Sequence, residues 1–271
     1  RLAEDPAVRL PVMVNLDGFY LSFTREPVDI PAVESAAAFL PPFDPGSIRF
    51  SASAPESQAV AVLGGGPYSY FRYETHLAAM NAIGVFERIA TEYKTLFARE
   101  FAAIETYHTD DAEIVFYIIG SFASKARDAV DRLREQGQRV GLVRPRLLRP
   151  LPVDAIAEAL VGVQGVAVVD QNLSMGQGGV LHTELSAAMY SRVGAPSIIC
   201  SFIGGLGGRE IAPEEFYQMV EVTRQALVSG EAPPARLLYT ETELREVRKL
   251  QSVAKVERDE TSAALKGVKH E

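Results

Sequence analysis

The chain has 271 residues, 47% of them hydrophobic and 23% charged, with a formal net charge of -8. That balance suits one large domain, or a domain with a long extension, and excludes a disordered chain; the acid surplus argues against nucleic acid as the main partner. A single cysteine, Cys200, excludes an internal disulfide and a self-contained zinc or iron–sulfur site.

Residues 10–21, LPVMVNLDGFYL, read as a strand, a tight Asp17-Gly18 turn and more extended chain, with Val12, Met13, Val14 and Leu16 as core. The chain opens at Arg1, almost at once in this buried-looking strand, so a fragment, a processed chain or a partial chain is expected. Ser22, Thr24, Arg25 and Glu26 form a polar cluster, either a surface turn or the lip of a site. Residues 27–67 carry repeated prolines that block long helices and central strands. Their apolar residues Phe39, Leu40, Phe43, Ile48 and Phe50 predict an arm packed on something. The triplet Gly64-Gly65-Gly66 is a weak phosphate-loop signal, since no Lys-Ser or Lys-Thr follows it. Residues 76–101 predict a long helix with a broad apolar stripe. His76 has no second ligand at helical spacing.

Strands and helices then alternate. Strands are predicted at residues 113–120, 140–146, 166–170, 197–203 and 236–240, and helices at 121–136, 152–160, 181–190 and 213–227. Ser121 or Ser124 caps the first of these helices and Gly137 stops it. Pro145 pushes its part of the second strand toward an edge or an end. The alternation predicts an α/β fold, an open parallel sheet with right-handed crossovers and helices on both faces. Residues 1–106 form an arm and helix ahead of it, residues 107–240 the α/β domain, and residues 241–271 a charged helical tail. No apolar run reaches the roughly 20 residues of a membrane helix, and no signal peptide is visible. A soluble cytoplasmic protein is the simplest expectation.

Ligands of open α/β sheets bind beyond the carboxyl ends of the strands. Three loops qualify: residues 120–124 with Ser121, residues 170–179 with Gly176, Gly178 and Gly179, and residues 204–209 with Gly207, Gly208 and Arg209. Such glycine loops, with an arginine, can hold an anion at a helix start. They also let loops pack tightly against another subunit. Asp170 and His182 flank the second loop and are placed to pair. No serine elbow or cysteine nucleophile joins them. Cys200 sits in the apolar run SIICSFI and reads as a small buried hydrophobe. On residues alone the chain has no complete active site; a scaffold or a nucleotide-binding module stays open.

Taken in order, LPVMVNLDGFYLS with EPVDIP, RYETHLAAM, DAEIVFYIIGS, AVDRLREQGQRVGLVRPRLLRPLP, VAVVDQNLSMGQGG and FIGGLGGREI resemble the α subunit of 2-oxoacid:ferredoxin oxidoreductases of the pyruvate synthase type. The resemblance implies a domain like the C-terminal domain of transketolase, preceded by the tail of a thiamine-binding-fold domain. It implies thiamine diphosphate, Mg2+, [4Fe–4S] clusters and coenzyme A in a complex with β, γ and δ subunits and ferredoxin, none of these groups being bound by this chain alone. The catalytic residues are then expected in the β subunit and in an N-terminal region outside this chain. The thiamine cofactor would carry the decarboxylation.

One departure stands out. The family commonly has Ser-His-Thr where this chain has Ser22-Phe23-Thr24. Should that loop face the substrate channel, an aromatic face replaces a polar group, which suits a larger or aromatic 2-oxoacid such as phenylglyoxylate. Packing of Phe23 at an interface is the other reading.

Overall fold

The computed structural model describes residues 1–18, 20–46, 51–56 and 64–267, with side chains described as far as residue 260. The expected packing of Ile48 and Phe50 lies outside the described residues. Three helices come first: α1 (Tyr20–Phe23), α2 (Val33–Phe39) and α3 (Gly65–Phe97). A six-stranded sheet follows in the order β1-β3-β2-β4-β5-β6. Its strands are β1 (Ile104–Tyr107), β2 (Ile114–Ile118), β3 (Val140–Pro145), β4 (Gly165–Asp170), β5 (Ile198–Ile203) and β6 (Arg236–Leu237). The helices between them are α4 (Phe122–Glu135), α5 (Val153–Ala159), α6 (Val180–Met189) and α7 (Pro213–Ser229), and α8 (Glu241–Gly267) ends the fold.

Every residue of β2 and of β4 is buried. That is why both read as unbroken apolar runs: each lies between parallel neighbours and beneath helices on both faces. Alternate residues serve the two faces. Ile114, Phe116 and Ile118 of β2 join Ala167 and Val169 of β4 in a core with α4 and α7. Val115 and Tyr117 join Val166 and Val168 in a second core with α5 and α6. Phe116 is fully buried and meets Phe216 of α7 edge-on at 5.4 Å, a side chain worth about 1.5–3 kcal/mol by burial. The sheet is parallel except for β1, which pairs antiparallel with β3. The pattern gave no sign of β1, because four residues of IETY are too short for a readable period. Pro145 closes β3 opposite Ile104, at a strand end rather than a sheet edge.

The region before the sheet departs from expectation in two ways. Residues 10–17 form no strand, and Met13, Val14 and Leu16 are exposed rather than core. A strand needs a ladder partner, and no described segment pairs with these residues. The long helix starts at Gly65 and ends at Phe97, earlier at both ends than the apolar stripe implied. Pro67 is tolerated in its first turn, where the N–H has no partner in any case, and Ala98 terminates it in the left-handed conformation. The helix runs about 50 Å, longer than the short segments lying on it. Only Ala82, Val85 and Ala90 are buried along it. Val8, with Leu2, Leu10 and Ile89, packs there, and Phe39 of α2 meets Tyr93 and Phe97 edge-on. The proline-rich stretch thus does hold one short helix, α2, and part of the expected arm is packed.

Candidate functional site at the carboxyl edge of the sheet

The strand order reverses at β2: β3 lies on one side of it and β4 on the other, both parallel to it. The crevice this opens at the carboxyl ends of β2 and β4 is where doubly wound sheets bind ligands. It is bounded by Gly120 and Ser121 after β2, by Gln171 after β4, and by Gly205 after β5. Gln171 donates from its amide to the Ile119 carbonyl at 3.2 Å. A Cβ on Gly205 would come within 3.1 Å of the Phe122 ring and 3.4 Å of the Gln171 side chain. The first and third predicted loops therefore converge around Phe122.

The N-terminal arm enters the same place. The Ser121 N–H donates to the Asp17 carboxylate. Gly120 has φ +71°, and a Cβ there would stand 2.5 Å from an Asp17 oxygen. The start of α4, the helix end that favours negative charge, is thus taken by a carboxylate of this chain. Asp17 does the capping that had been assigned to Ser121 or Ser124; the Ser121 hydroxyl makes no cap bond, and its oxygen is buried without a partner. Tyr20 of α1 meets Phe122 edge-on at 5.3 Å, and Lys125 lies 5.6 Å over the Tyr20 ring. Ser22, Phe23 and Thr24 follow Tyr20 at the end of α1. The Thr24 hydroxyl donates to the Tyr20 carbonyl, and Phe23 is 77% exposed.

The second loop is built differently. Ser174 and Gly178 pair backbone to backbone at 2.8 and 3.0 Å, and Gly176 and Gly178 have φ of +83° and +107°. Such angles suit glycine alone. Gly179 has an ordinary φ of −79°; it is glycine for space. A Cβ there would fall 1.9 Å from Asp170 Oδ2. Asp170, fully buried, accepts the Leu181 N–H at 2.8 Å and the His182 N–H at 3.2 Å. Burial pushes its carboxyl up, and those helix N–H groups pull it back down. Asp170 and His182 do meet, but through the His182 backbone. The imidazole turns to the Ile199 carbonyl, 3.2 Å from Nε2. The expected side-chain pair is replaced by a helix cap.

The third loop forms a short 3-10 turn, Leu206–Gly208, with Gly207 and Gly208 in the left-handed region. Arg209 leaves it toward α7 and α8. It donates to both oxygens of Glu215, at 3.1 and 2.9 Å, and through Nε to Glu243 at 2.6 Å. Its guanidinium also lies 5.4 Å over the Tyr239 ring. These two carboxylates, one of them 3% exposed, occupy the cation that the sequence had offered to an anion. Glu215 also accepts the Ala212 N–H at 2.8 Å. Neither Asp17, read from the sequence as part of a turn, nor Glu215 was given these partners. Their bonds span 104 and 6 residues, and the longer of these leaves no local signal.

The described residues offer no ligand set for an iron–sulfur cluster or a metal ion. A [4Fe–4S] cluster needs several thiolates, and the one cysteine, Cys200, is fully buried in β5. Among the described residues no three His, Cys, Asp or Glu side chains are grouped to hold a metal ion.

A family profile described as pyruvate:ferredoxin oxidoreductase core domain II matches residues 112–216. Pyruvate synthase subunit PorA of Methanothermobacter thermautotrophicus is 39% identical over 82% of this chain and 56% of its own length. The PorA of Pyrococcus abyssi is 35% identical over 85% of this chain and 58% of its own. Ketoisovalerate oxidoreductase subunit VorA of Pyrococcus abyssi is 35% identical over 82% and 56%. The chain thus spans little more than half the length of the curated relatives it matches. With the ordered motifs and the observed α/β fold, these matches establish that the chain belongs to the α-subunit family of 2-oxoacid:ferredoxin oxidoreductases.

Proposed function

We propose that the chain works as an α-subunit piece of a 2-oxoacid:ferredoxin oxidoreductase. The complex would decarboxylate a 2-oxoacid oxidatively and join the acyl group to coenzyme A. It would release carbon dioxide and a proton, and two electrons would leave singly through [4Fe–4S] clusters to ferredoxin. Pyruvate is the substrate we favour. The observation that supports this reading most is the similarity to two pyruvate synthase α subunits across four-fifths or more of the chain. Thiamine diphosphate, Mg2+ and the clusters belong on β, γ and δ subunits or their equivalents, and the setting is cytoplasmic. Residues 1–106 act as the link to thiamine-binding parts, residues 107–240 as the transketolase-like core, and residues 241–271 as a tail.

This chain contributes positioning. Ser121, Gly176, Gly178, Gly179, Gly207, Gly208 and Arg209 shape the carboxyl edge that faces other subunits, and Ser22, Phe23 and Thr24 stand at the substrate channel. The exposure of Phe23 supports a second reading, in which the substrate is an aromatic 2-oxoacid.

The test is anaerobic. The tagged chain is purified from its host with whatever accompanies it. Dye reduction is then assayed with coenzyme A and a panel of pyruvate, 2-oxoglutarate, phenylglyoxylate and branched 2-oxoacids. Activity on pyruvate with thiamine diphosphate and iron in the preparation is expected. A chain that comes down alone, without thiamine or iron, refutes the assignment. Phe23→His should shift relative rates away from aromatic acids; unchanged rates across the panel return Phe23 to a packing role.

A further inference from the structure

The carboxyl end of β3, with the amino end of the antiparallel β1 beside it, carries charge opposite to that of the chain as a whole. Glu105 of β1 sits among three arginines. Arg127 of α4 lies 3.2 Å from it, Arg144 of β3 lies 3.4 Å from it, and Arg146 lies 2.5 Å from it. Burial pushes the Glu105 carboxyl up, and the arginines pull it down further, so it stays ionised. Asp131 stands at the rim, accepting the Tyr107 hydroxyl at 2.8 Å; with it counted, two carboxylates against three guanidinium groups still leave a local surplus of positive charge, on a chain whose net charge is -8. Each guanidinium brings five N–H donors, more than one carboxylate can absorb.

Two of these arginines are braced on aromatic faces. Arg127 lies 4.6 Å over the Tyr107 ring and Arg146 lies 5.3 Å over Phe101. An aromatic face attracts a guanidinium while leaving N–H donors of the group free for other partners. Arg127 keeps 44% of its side-chain surface, Arg146 31% and Arg144 27%, while the Glu105 at their centre keeps 16%. Phe101 is itself 44% exposed. Half-exposed arginine beside half-exposed aromatic rings is the composition of energetically dominant interface residues. The strand that carries Glu105 is also the sheet edge, with a described strand partner on one side only.

We propose that Arg127, Arg144 and Arg146, with Phe101 and Tyr107, form a docking surface for an acidic segment of another subunit. This rests on the reading that the chain works in a heteromeric complex. The occupant would present at least two carboxylates in extended chain, one for each stacked guanidinium, alongside the open edge of β1. Glu105 is the internal counter-charge that keeps the arginines apart and oriented before docking.

The test uses the intact complex. Ser124, exposed and one turn before Arg127 on α4, is replaced by a photo-crosslinking phenylalanine, which leaves the three arginines in place. After irradiation, the attached peptide is identified by mass spectrometry. The expected product joins position 124 to a peptide of another subunit with a surplus of Asp and Glu. R127E/R146E should lower its yield at least about tenfold, whereas R127K/R146K should keep most of it. The lysine variant retains charge beside Glu105 and guards against a merely misfolded double glutamate. An intact complex with no cross-link from position 124 to another subunit overturns the proposal and leaves the α-subunit reading standing. So does a cross-link to a segment without acidic surplus. Inorganic pyrophosphate that binds the intact complex, but not R127E/R146E, would show an open phosphate site and overturn it as well. A wild-type chain that purifies alone overturns the heteromeric reading, and this proposal with it.

Discussion

Gly179→Ala should unlatch α6 without replacing any side chain that bonds. The backbone at Gly179 is extended, with φ −79° and ψ 140°, so alanine meets no conformational penalty there. The added methyl would fall 1.9 Å from Asp170 Oδ2 and 2.3 Å from its carboxyl carbon. The carboxylate is fully buried and has no room to give. It must leave the Leu181 and Leu181-adjacent His182 N–H groups it now accepts at 2.8 and 3.2 Å. Bonds of this kind to a charged group contribute about 1.5–3 kcal/mol each. Some of that is offset by relief of the desolvation that pushes the Asp170 carboxyl up. The net loss worked from these terms is about 3 kcal/mol. At a urea m-value of about 3 kcal/mol/M, the midpoint falls by about 1 M. Asp170→Ala should cost about the same, and the double variant little more than either, because both remove one latch. Asp170→Asn keeps an acceptor and sheds the buried charge, so it should cost about 1 kcal/mol. Urea unfolding followed by circular dichroism measures all four. A Gly179→Ala midpoint equal to the wild type, or strict additivity with Asp170→Ala, would refute the reasoning.

Three further outcomes follow from single contacts. Asp17→Ala removes the carboxylate at the start of α4 and should cost about 1 kcal/mol; limited proteolysis should then cut within residues 10–25 at least several times faster, and unchanged cleavage would show that the arm is held by other contacts. Arg209→Ala strips the partner from Glu215, which is 3% exposed, and should cost about 3 kcal/mol while raising hydrogen exchange in the first turns of α8. Arg209 first, and then the Thr240 N–H, hold the Glu243 carboxyl down at about 2. Its folded value lies below the unfolded one, so this contribution is complete above the unfolded value of about 4.5 and lost as pH falls from there through about 2. Exchange in α8 measured down this range should rise in the wild type and stay flat in Arg209→Ala. Cys200 is fully buried, and burial pushes its thiol up, so thiol reagents should label it only in denaturant; labelling of the native chain at a similar rate would contradict the β5 packing.

What the sequence revealed and what it hid divide along one physical line. β2 and β4 were legible because strands buried on both faces need an apolar side chain at every position, and VAVV and IVFYI supply one. The helix stop at Gly137 was legible in kind, since a left-handed residue favours glycine wherever it stands. Gly179 was seen as part of a loop, but its reason was not: no rule of local conformation distinguishes a glycine kept for φ from one kept so that a carboxylate 9 positions earlier can reach a helix. The contacts that shape the carboxyl edge are of this second kind. Asp17 on Ser121 and Arg209 on Glu243 join distant stretches, and each uses a residue type that reads equally well as surface charge. Residues 10–17 failed in the opposite sense. Their pattern was that of a core strand, yet Val12, Met13, Val14 and Leu16 are exposed. Apolar spacing reports that a face is to be covered; it does not say by which chain. The same holds at Arg127, Arg144 and Arg146, where charge beyond what Glu105 neutralises is a property of this chain and its counterpart must be sought on another.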